Sequence, residues 1–351
     1  MWERTLSQKL VRLFCEQKVV DESKADAYVY GYELLISSVV SVLLVILVSA
    51  VCGDVRYSLS FLIGFIPQRI YIGGYHATSH TRCYLAFTGL ALTGMTMLTN
   101  GCDMIEYHPY DLNIKGDTDI NRRNIQSIEA SLNGKEEVSF ILISDTQRWY
   151  DETEDAVNAI NERNDVDFVI HCGDLSDFGM KMEFEKQRDI LNRLNVPYVC
   201  LLGNHDCLAT GKEVFNTIFG DENFSFTAGN VRFVCLNTNA LEFDYSEAVP
   251  DFSFLERELQ NFPSQAAKTV IAMHAPPRSE QFNNNIARVF QYCISQFPAL
   301  QFCAYGHIHS FSENDLFEDG VMYYSAPSIN KRSYVHFTIK PNDYNYELVE
   351  F

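Results

Sequence analysis

Six short apolar runs recur in the chain after residue 137, at 138–144, 168–172, 198–202, 231–236, 269–273 and 302–305. Each has the length of a strand and is rich in β-branched or aromatic residues. Segments with helical character, 152–163, 180–194, 252–262 and 284–296, fall between several of them. Strands and helices in alternation predict an α/β core.

The ends of these runs carry the chemistry. All but the run ending at Leu236 stop at a residue type that binds metals: Asp145 and Gln147, Gly173-Asp174, Gly203-Asn204-His205-Asp206, His274, and Gly306-His307-Ile308-His309. In open α/β sheets the carboxyl ends of neighbouring strands border one crevice, so five loops are expected to share one site. Carboxylate, imidazole and amide oxygen suit Mn, Fe and Zn class cations, and an aspartate held between two ions can bridge them. Taken singly, each residue also has a plain structural use as turn former, cap or strand-end hydrogen bonder. The five together, in order and several of them flanked by glycine, favour the metal reading. His108, His171 and His336 lack such company, and His171 is expected only to line the site.

The first hundred residues are different in kind. Residues 34–53 contain no charge, and at 1.5 Å per residue twenty residues cross about 30 Å of hydrocarbon. Before them, Leu6, Leu10, Val11, Leu13, Phe14 and Val20 interleave with Lys9, Arg12, Lys18 and Lys24, the pattern of a helix lying at a membrane surface and staying cytoplasmic. Two further apolar runs, 57–68 and 84–101, allow two or three spans in total. Three place the rest of the chain outside the cytoplasm, and two keep it inside. Cys102 reads as a cysteine just past a helix end in preference to a lipoprotein cleavage site. Between the later runs, His76 and Cys83 share a polar loop, and a thiol becomes a nucleophile when an imidazole takes its proton.

Charge divides the chain in the same place. Residues 1–101 hold 8 basic and 7 acidic side chains, which leaves 19 and 39 for the remainder. A surface that acidic repels phosphate backbones, so no nucleic-acid partner is expected. The ten cysteines are scattered without a Cys-x-x-Cys pair and several sit in apolar runs, which predicts buried thiols in place of a disulfide framework. Residues 103–136 are polar with few periodic apolar positions and read as a linker.

On these motifs residues 137–351 resemble the calcineurin-like metallophosphoesterases. The resemblance implies an α/β four-layer (αββα) sandwich and two divalent ions. Asp145, Gln147, Asp174 and His309 would hold the first, and Asp174, Asn204, His274 and His307 the second. His205 would serve the leaving group as acid or charge stabiliser, oriented by Asp206. Gln147 departs from the family pattern, which mostly has His there. A neutral amide is a weaker donor to transition metals, so the first site should bind less tightly or prefer a harder ion such as Mn. Residues 1–101, on the stretch from Arg69 through Gly73-Gly74-Tyr75-His76-Ala77 to Cys83, resemble the accessory gene regulator B membrane cysteine endopeptidases that process a quorum-sensing precursor peptide. That implies Cys83 as nucleophile and His76 as its base, although the chain leaves the pattern near residue 100.

The sequence therefore predicts a membrane α-helical segment over 1–101, a linker over 102–136, and a metallophosphoesterase domain over 137–351 at a bacterial cell membrane. The expected activity is hydrolysis of a phosphomonoester or phosphodiester. The alternatives are a peptidase acting on a precursor peptide with the C-terminal domain appended, or a degenerate fusion that only binds phosphate or a partner.

Overall fold

The computed structural model describes residues 2–52, 111–243 and 246–351. The chain divides into two compact units, Met1–His108 and Pro109–Phe351.

In the first unit α1 (Trp2–Glu16) and α2 (Ala25–Cys52) are joined through a short 3₁₀ turn, Glu22–Lys24, capped by Asp21, whose carboxylate accepts the Ser23 N–H at 2.9 Å. The two helices pack on each other, with the Phe14 and Tyr32 rings 5.9 Å apart. Trp2, Leu6 and Leu13 of α1 are exposed, as expected of a helix with an apolar face turned outward. On α2 the leucine and valine side chains at 35, 39, 43 and 47 also face outward, one per turn. Residues 22–47 make the one described helix long and apolar enough to cross a membrane. The helix begins nine residues before the charge-free run, because Tyr and Val are tolerated in its first turns. The runs at 57–68 and 84–101 lie outside the described residues.

The second unit holds two mixed sheets. The first has the order β11-β10-β1-β2-β3, built from β1 (Val138–Ile143), β2 (Phe168–His171), β3 (Tyr198–Cys200), β10 (Ser333–Ile339) and β11 (Tyr344–Glu350). The second has the order β4-β5-β6-β7-β9-β8, from β4 (Phe224–Ala228), β5 (Val231–Leu236), β6 (Lys268–Met273), β7 (Leu300–Tyr305), β8 (Ser312–Asp315) and β9 (Met322–Ser325). β1, β2 and β3 are parallel, as are β5, β6, β7 and β9; antiparallel strands flank the first sheet on its β1 side and the second sheet on both sides.

Period-two alternation sorts each strand between two cores. Phe140 and Leu142 of β1 face the other sheet, while Ile141 and Ile143 face outward. Between the sheets the rings of Phe140, Phe168, Phe226, Phe233, Phe302 and Phe337 fill the interior, with Phe302 and Phe337 stacked at 4.6 Å. Helices α4 (Tyr150–Asn161), α5 (Lys181–Leu191) and α6 (Gly211–Ile218) cover the outer face of the first sheet, and α7 (Phe252–Gln260) and α8 (Ala287–Ile294) that of the second. The result is the four-layer αββα sandwich.

The stretch read as linker is corrected by α3 (Ile120–Ser131), where Ile120 and Ile128 are buried. Its polar residues have a structural use. Asn121 donates from Nδ2 to the Cys200 carbonyl at 2.8 Å and accepts the Cys200 N–H at 2.9 Å, and Asn124 donates to the Tyr198 carbonyl at 2.7 Å. β3 is an edge strand, and these amides satisfy its outward backbone groups in place of a sixth strand.

Candidate metal centre

The five loops meet where β1, β2 and β3 of one sheet and β6 and β7 of the other end. The crevice lies between two sheets, not at the edge of one. Four of the expected donors, Asp145, Asp174, His307 and His309, sit in left-handed backbone, with φ of 55°, 60°, 68° and 61°. Such conformations are costly for non-glycine residues and persist where surrounding structure enforces them, which is common at functional sites. Two glycines make the close approach possible. A Cβ on Gly173 (φ 91°) would stand 2.7 Å from His274 Nδ1, and one on Gly203 would stand 2.2 Å from Asp174 Oδ1.

The expected donors are connected by short contacts. Asp145 Oδ1 lies 3.2 Å from His309 Nε2, and its Oδ2 accepts the His307 backbone N–H at 3.1 Å. Gln147 Nε2 is 3.4 Å from Asp174 Oδ2, and Asp174 Oδ1 is 3.4 Å from His274 Nε2. Asn204 Oδ1 lies 3.0 Å from both His274 Nε2 and His307 Nδ1. Ligand atoms of Asp145, Asp174 and His274 all fall within 4.8 Å of one another.

The protonation of the rings shows what this crowding lacks. His274 Nδ1 is 2.6 Å from the Cys172 carbonyl, so it carries the proton and donates it. Burial lowers the pKa of His274 to about 4, so the ring is neutral and Nε2 presents a lone pair. With Asn204 oriented as it is, that lone pair faces two acceptor oxygens, those of Asn204 and Asp174. The His307 ring bridges the same oxygen to the surface, with Nδ1 3.0 Å from Asn204 Oδ1 and Nε2 3.0 Å from Glu280 Oε1. Gln147 Oε1 is buried without a hydrogen-bond partner, and Asp145 Oδ1, also buried, has only the His309 ring nitrogen beside it. Lone pairs converging on one another are mutually repulsive, and divalent cations resolve the conflict. The donor set fits a divalent cation held by Asp145, Asp174 and His274.

Electrostatics agree. Burial, with the negative charges of Asp145 and Asp206, pushes the Asp174 carboxyl well above the usual range. Burial would raise Asp145 too, but His309 and His274 hold it below the ordinary value. Two carboxylates this close do not both ionise without a positive charge beside them.

Asp206 is placed differently from expectation. Its carboxylate accepts the backbone N–H groups of Asp174, Leu175, Ser176 and Gly203 at 2.8 to 3.2 Å and the Ser176 hydroxyl at 2.9 Å. It ties the loop after β2 to the loop after β3 and is not bonded to the His205 ring. That ring is held by the Asp177 carbonyl, 2.9 Å from Nδ1, with the Asp177 carboxylate 3.7 Å away and itself paired with Arg148. Adjacency in sequence misled, because the 3₁₀ turn His205–Cys207 points neighbouring side chains apart. Asp177 and Glu280 were not assigned roles from the sequence. The spacing Gly-Asp-x-x-Asp was a signal for the first, whereas Glu280 meets His307 only through the fold.

His171 is fully buried, its pKa lowered to about 3 by burial. It accepts the Gly173 N–H at 3.2 Å and lies 2.8 Å from Thr146 Oγ1, supporting two site loops. His336 bonds Ser139 Oγ at 2.6 Å and the Arg163 guanidinium at 2.9 Å. His108, His76, Cys83 and Cys102 lie outside the described residues. The seven cysteines whose side chains are described are free thiols, four of them buried.

Fold and donor set together define a metallophosphoesterase-type α/β sandwich. Residues 138–311 match the calcineurin-like phosphoesterase family, and residues 7–108 match the accessory gene regulator B family. Among characterised proteins, the chain is 30% identical over 158 residues to the 3',5'-cyclic-nucleotide phosphodiesterase alr5338 of Nostoc, an alignment covering 42% of this chain and 57% of the relative. It is 38% identical over 101 residues to the mouse serine/threonine-protein phosphatase CPPED1, covering 25% of this chain and 32% of that protein. The chain thus spans little more than half the length of one of these relatives and a third of the other. Among solved structures, the purple acid phosphatase PPD1 of yellow lupin aligns with a TM-score of 0.47 at 13% identity, over 62% of this chain and 52% of that one.

Proposed function

We propose that the second unit is a two-metal phosphoesterase and that the first unit tethers it to a membrane. The observation that carries the reading is the chain of close donor contacts through Asp145, Gln147, Asp174, Asn204, His274 and His307, in which ligand atoms of Asp145, Asp174 and His274 fall within 4.8 Å of one another. Asp145, Gln147, Asp174 and His309 would hold one ion, Asp174, Asn204, His274 and His307 the other, with Asp174 between them. When bound, a pair of divalent ions acidifies water and neutralises charge on a phosphoryl group.

The chain's own residues supply the rest. The Cys172 carbonyl fixes the tautomer of His274, and Glu280 braces the His307 ring, so both rings are oriented before ions bind. Asp206 locks the loops that present Asp174 and Asn204. His205, partly exposed beside Asp174, has Nδ1 committed to the Asp177 carbonyl, which leaves Nε2 to exchange a proton with a leaving oxygen or stabilise its charge. The Nostoc relative's name supports a diester substrate and that of CPPED1 a monoester, so both belong in the assay.

Full-length protein in detergent, stripped of metal and reloaded with Mn, should turn over p-nitrophenyl phosphate or bis(p-nitrophenyl) phosphate. Asp174→Ala should lower turnover at least about a hundredfold and take bound Mn below one ion per chain. Unchanged rates in that variant overturn the site. The tether is checked on membranes before solubilisation, where the chain should resist alkaline extraction.

The match over 7–108 supports a second reading, a cysteine endopeptidase in the first unit with His76 and Cys83 as its pair. Membranes carrying the chain should then cleave a precursor peptide, and Cys83→Ala should lose that cleavage. No cleavage by the unaltered chain, beside an active relative as control, removes this reading.

A further inference from the structure

Residues 111–351 contain eleven arginines. Eight of them have a carboxylate within ion-pair distance. With two acidic residues for each basic one in this part of the chain, that is the expected condition. Among the described residues Arg257, Arg278 and Arg288 have no such partner. Two of the three, Arg278 and Arg288, line the same cavity, of about 640 Å³.

The cavity is built to keep these charges uncommitted. Arg278 is held in left-handed backbone (φ 78°), its N–H donates to Asn284 Oδ1 at 2.7 Å, and its guanidinium lies 5.6 Å from the centre of the Phe317 ring. Stacking on an aromatic face restrains a guanidinium without neutralising it. Asp319 also lines the cavity, but its carboxylate accepts Gln291 Nε2 at 2.9 Å and the Val321 N–H at 3.2 Å. Gln291 in turn accepts the Tyr323 hydroxyl at 2.5 Å. The polar groups of that wall are thus satisfied internally, while the two arginines are not.

One loop joins this cavity to the metal centre. Arg278 follows His274 by four residues, so their Cα atoms stand at most about 14 Å apart. Two residues further on, Glu280 accepts from His307, and Asn284 is again at the cavity. A molecule with its ester at the donor set and a second group in the cavity would lie along 274–284.

We propose that this cavity is a subsite for a second anionic group of the substrate, a phosphate or carboxylate several bonds away from the ester that is hydrolysed. The proposal rests on the phosphoesterase reading for its link to turnover, but not for anion binding itself. Planar guanidinium forks match the oxygens of such groups in bidentate fashion. The unit is acidic overall, so a pair of unneutralised arginines is what lets a doubly anionic substrate be held there.

The test has two arms. In the first, full-length protein is stripped of metal, dialysed free of chelator and titrated with inorganic pyrophosphate by calorimetry. Arg278→Gln and Arg288→Gln should each weaken binding about tenfold. Arg257→Gln, which removes the third unpaired arginine elsewhere, should leave it unchanged. Unaltered affinity in the Arg278→Gln/Arg288→Gln double variant, or an equal loss in Arg257→Gln, overturns the subsite. In the second arm, Mn-loaded protein is given thymidine 5'-(p-nitrophenyl phosphate) with and without a 3'-phosphate. The unaltered chain should favour the phosphorylated ester in kcat/KM, and Arg278→Gln should reduce that preference about tenfold. An unchanged preference beside normal pyrophosphate binding overturns the substrate assignment and marks a separate anion site. Hydrolysis of neither ester by the unaltered chain counts against the phosphoesterase reading alone, because the first arm still decides the cavity.

Discussion

Asp174 is the residue on which the proposed metal binding and folding would pull in opposite directions. It is buried, it shares its surroundings with Asp145 and Asp206, and its carboxyl is pushed up by burial and by those charges. In the metal-free protein a raised folded-state pKa means that its contribution to stability is complete below the unfolded value of about 3.9 and is lost as pH rises toward the folded one. Asn in its place cannot ionise. Asp174→Asn is therefore expected to melt above the unaltered chain when both are metal-free, with a gap that widens from pH 4 upward. Mn should reverse the order, since a ligand held at a hundred times its Kd adds about 2.7 kcal/mol to the unaltered chain only. Thermal melts at several pH values, with and without Mn, decide it, and a higher melting temperature for the unaltered metal-free chain would contradict the electrostatic account. The donor residues were legible in the sequence because each follows an apolar run that has to end at a sheet edge. Their hydrogen-bond partners were not. The Cys172 carbonyl, Asp177 and Glu280 act on His274, His205 and His307 across 102, 28 and 27 residues, and no local pattern encodes such pairings.

Among the elements, β1 does two tasks, since it leads into the loop that carries Asp145 and its inward face carries Phe140. That ring stacks on Phe168 at 5.5 Å and on Phe337 at 5.3 Å, and meets Phe233 edge-on at 5.3 Å, so both sheets close on it. Phe140→Ala leaves a cavity between sheets that are each held in register by several neighbours and cannot collapse into it. The expected loss is about 4 kcal/mol, read as a fall in the urea midpoint of the full chain. Val289→Ala on the outer face of α8, where the side chain is half exposed, should stay within about 0.5 kcal/mol. A small effect at Phe140 would mean the aromatic interior is loosely packed. Strands such as β1, β5 and β6 were legible because both of their faces are buried, which leaves a continuous apolar run. β8, with the sequence Ser-Glu-Asn-Asp, was not, because it is a strand only through its pairing with β9. α6 was missed for brevity, its buried Val214, Phe215 and Ile218 spanning barely more than one turn. α3 was read as a linker because amides that cap the edge of β3 have the composition of a loop.

At the scale of the whole molecule, charge is partitioned with function. The first hundred residues are nearly neutral and carry the apolar helix, while the remainder holds 39 acidic against 19 basic side chains. On the proposed function, an anionic ester approaching the second unit would meet a repulsive field at long range and an attractive one close in, from the proposed cations and the unpaired arginines. The two fields respond differently to salt. Raising ionic strength from about 10 mM to about 150 mM shortens the Debye length from about 30 Å to about 8 Å, which screens the diffuse repulsion of the surface more than contacts inside the cleft. For the proposed hydrolysis, kcat/KM toward dianionic p-nitrophenyl phosphate is then expected to rise about two- to threefold over that range at saturating Mn, with a smaller rise for the monoanionic diester. Stopped-time assays across a KCl series in the detergent-solubilised full chain measure it. A monotonic fall would show that the local positive field already governs encounter from the first Debye length outward, and that the acidic surface is too far from the cleft to oppose its substrate.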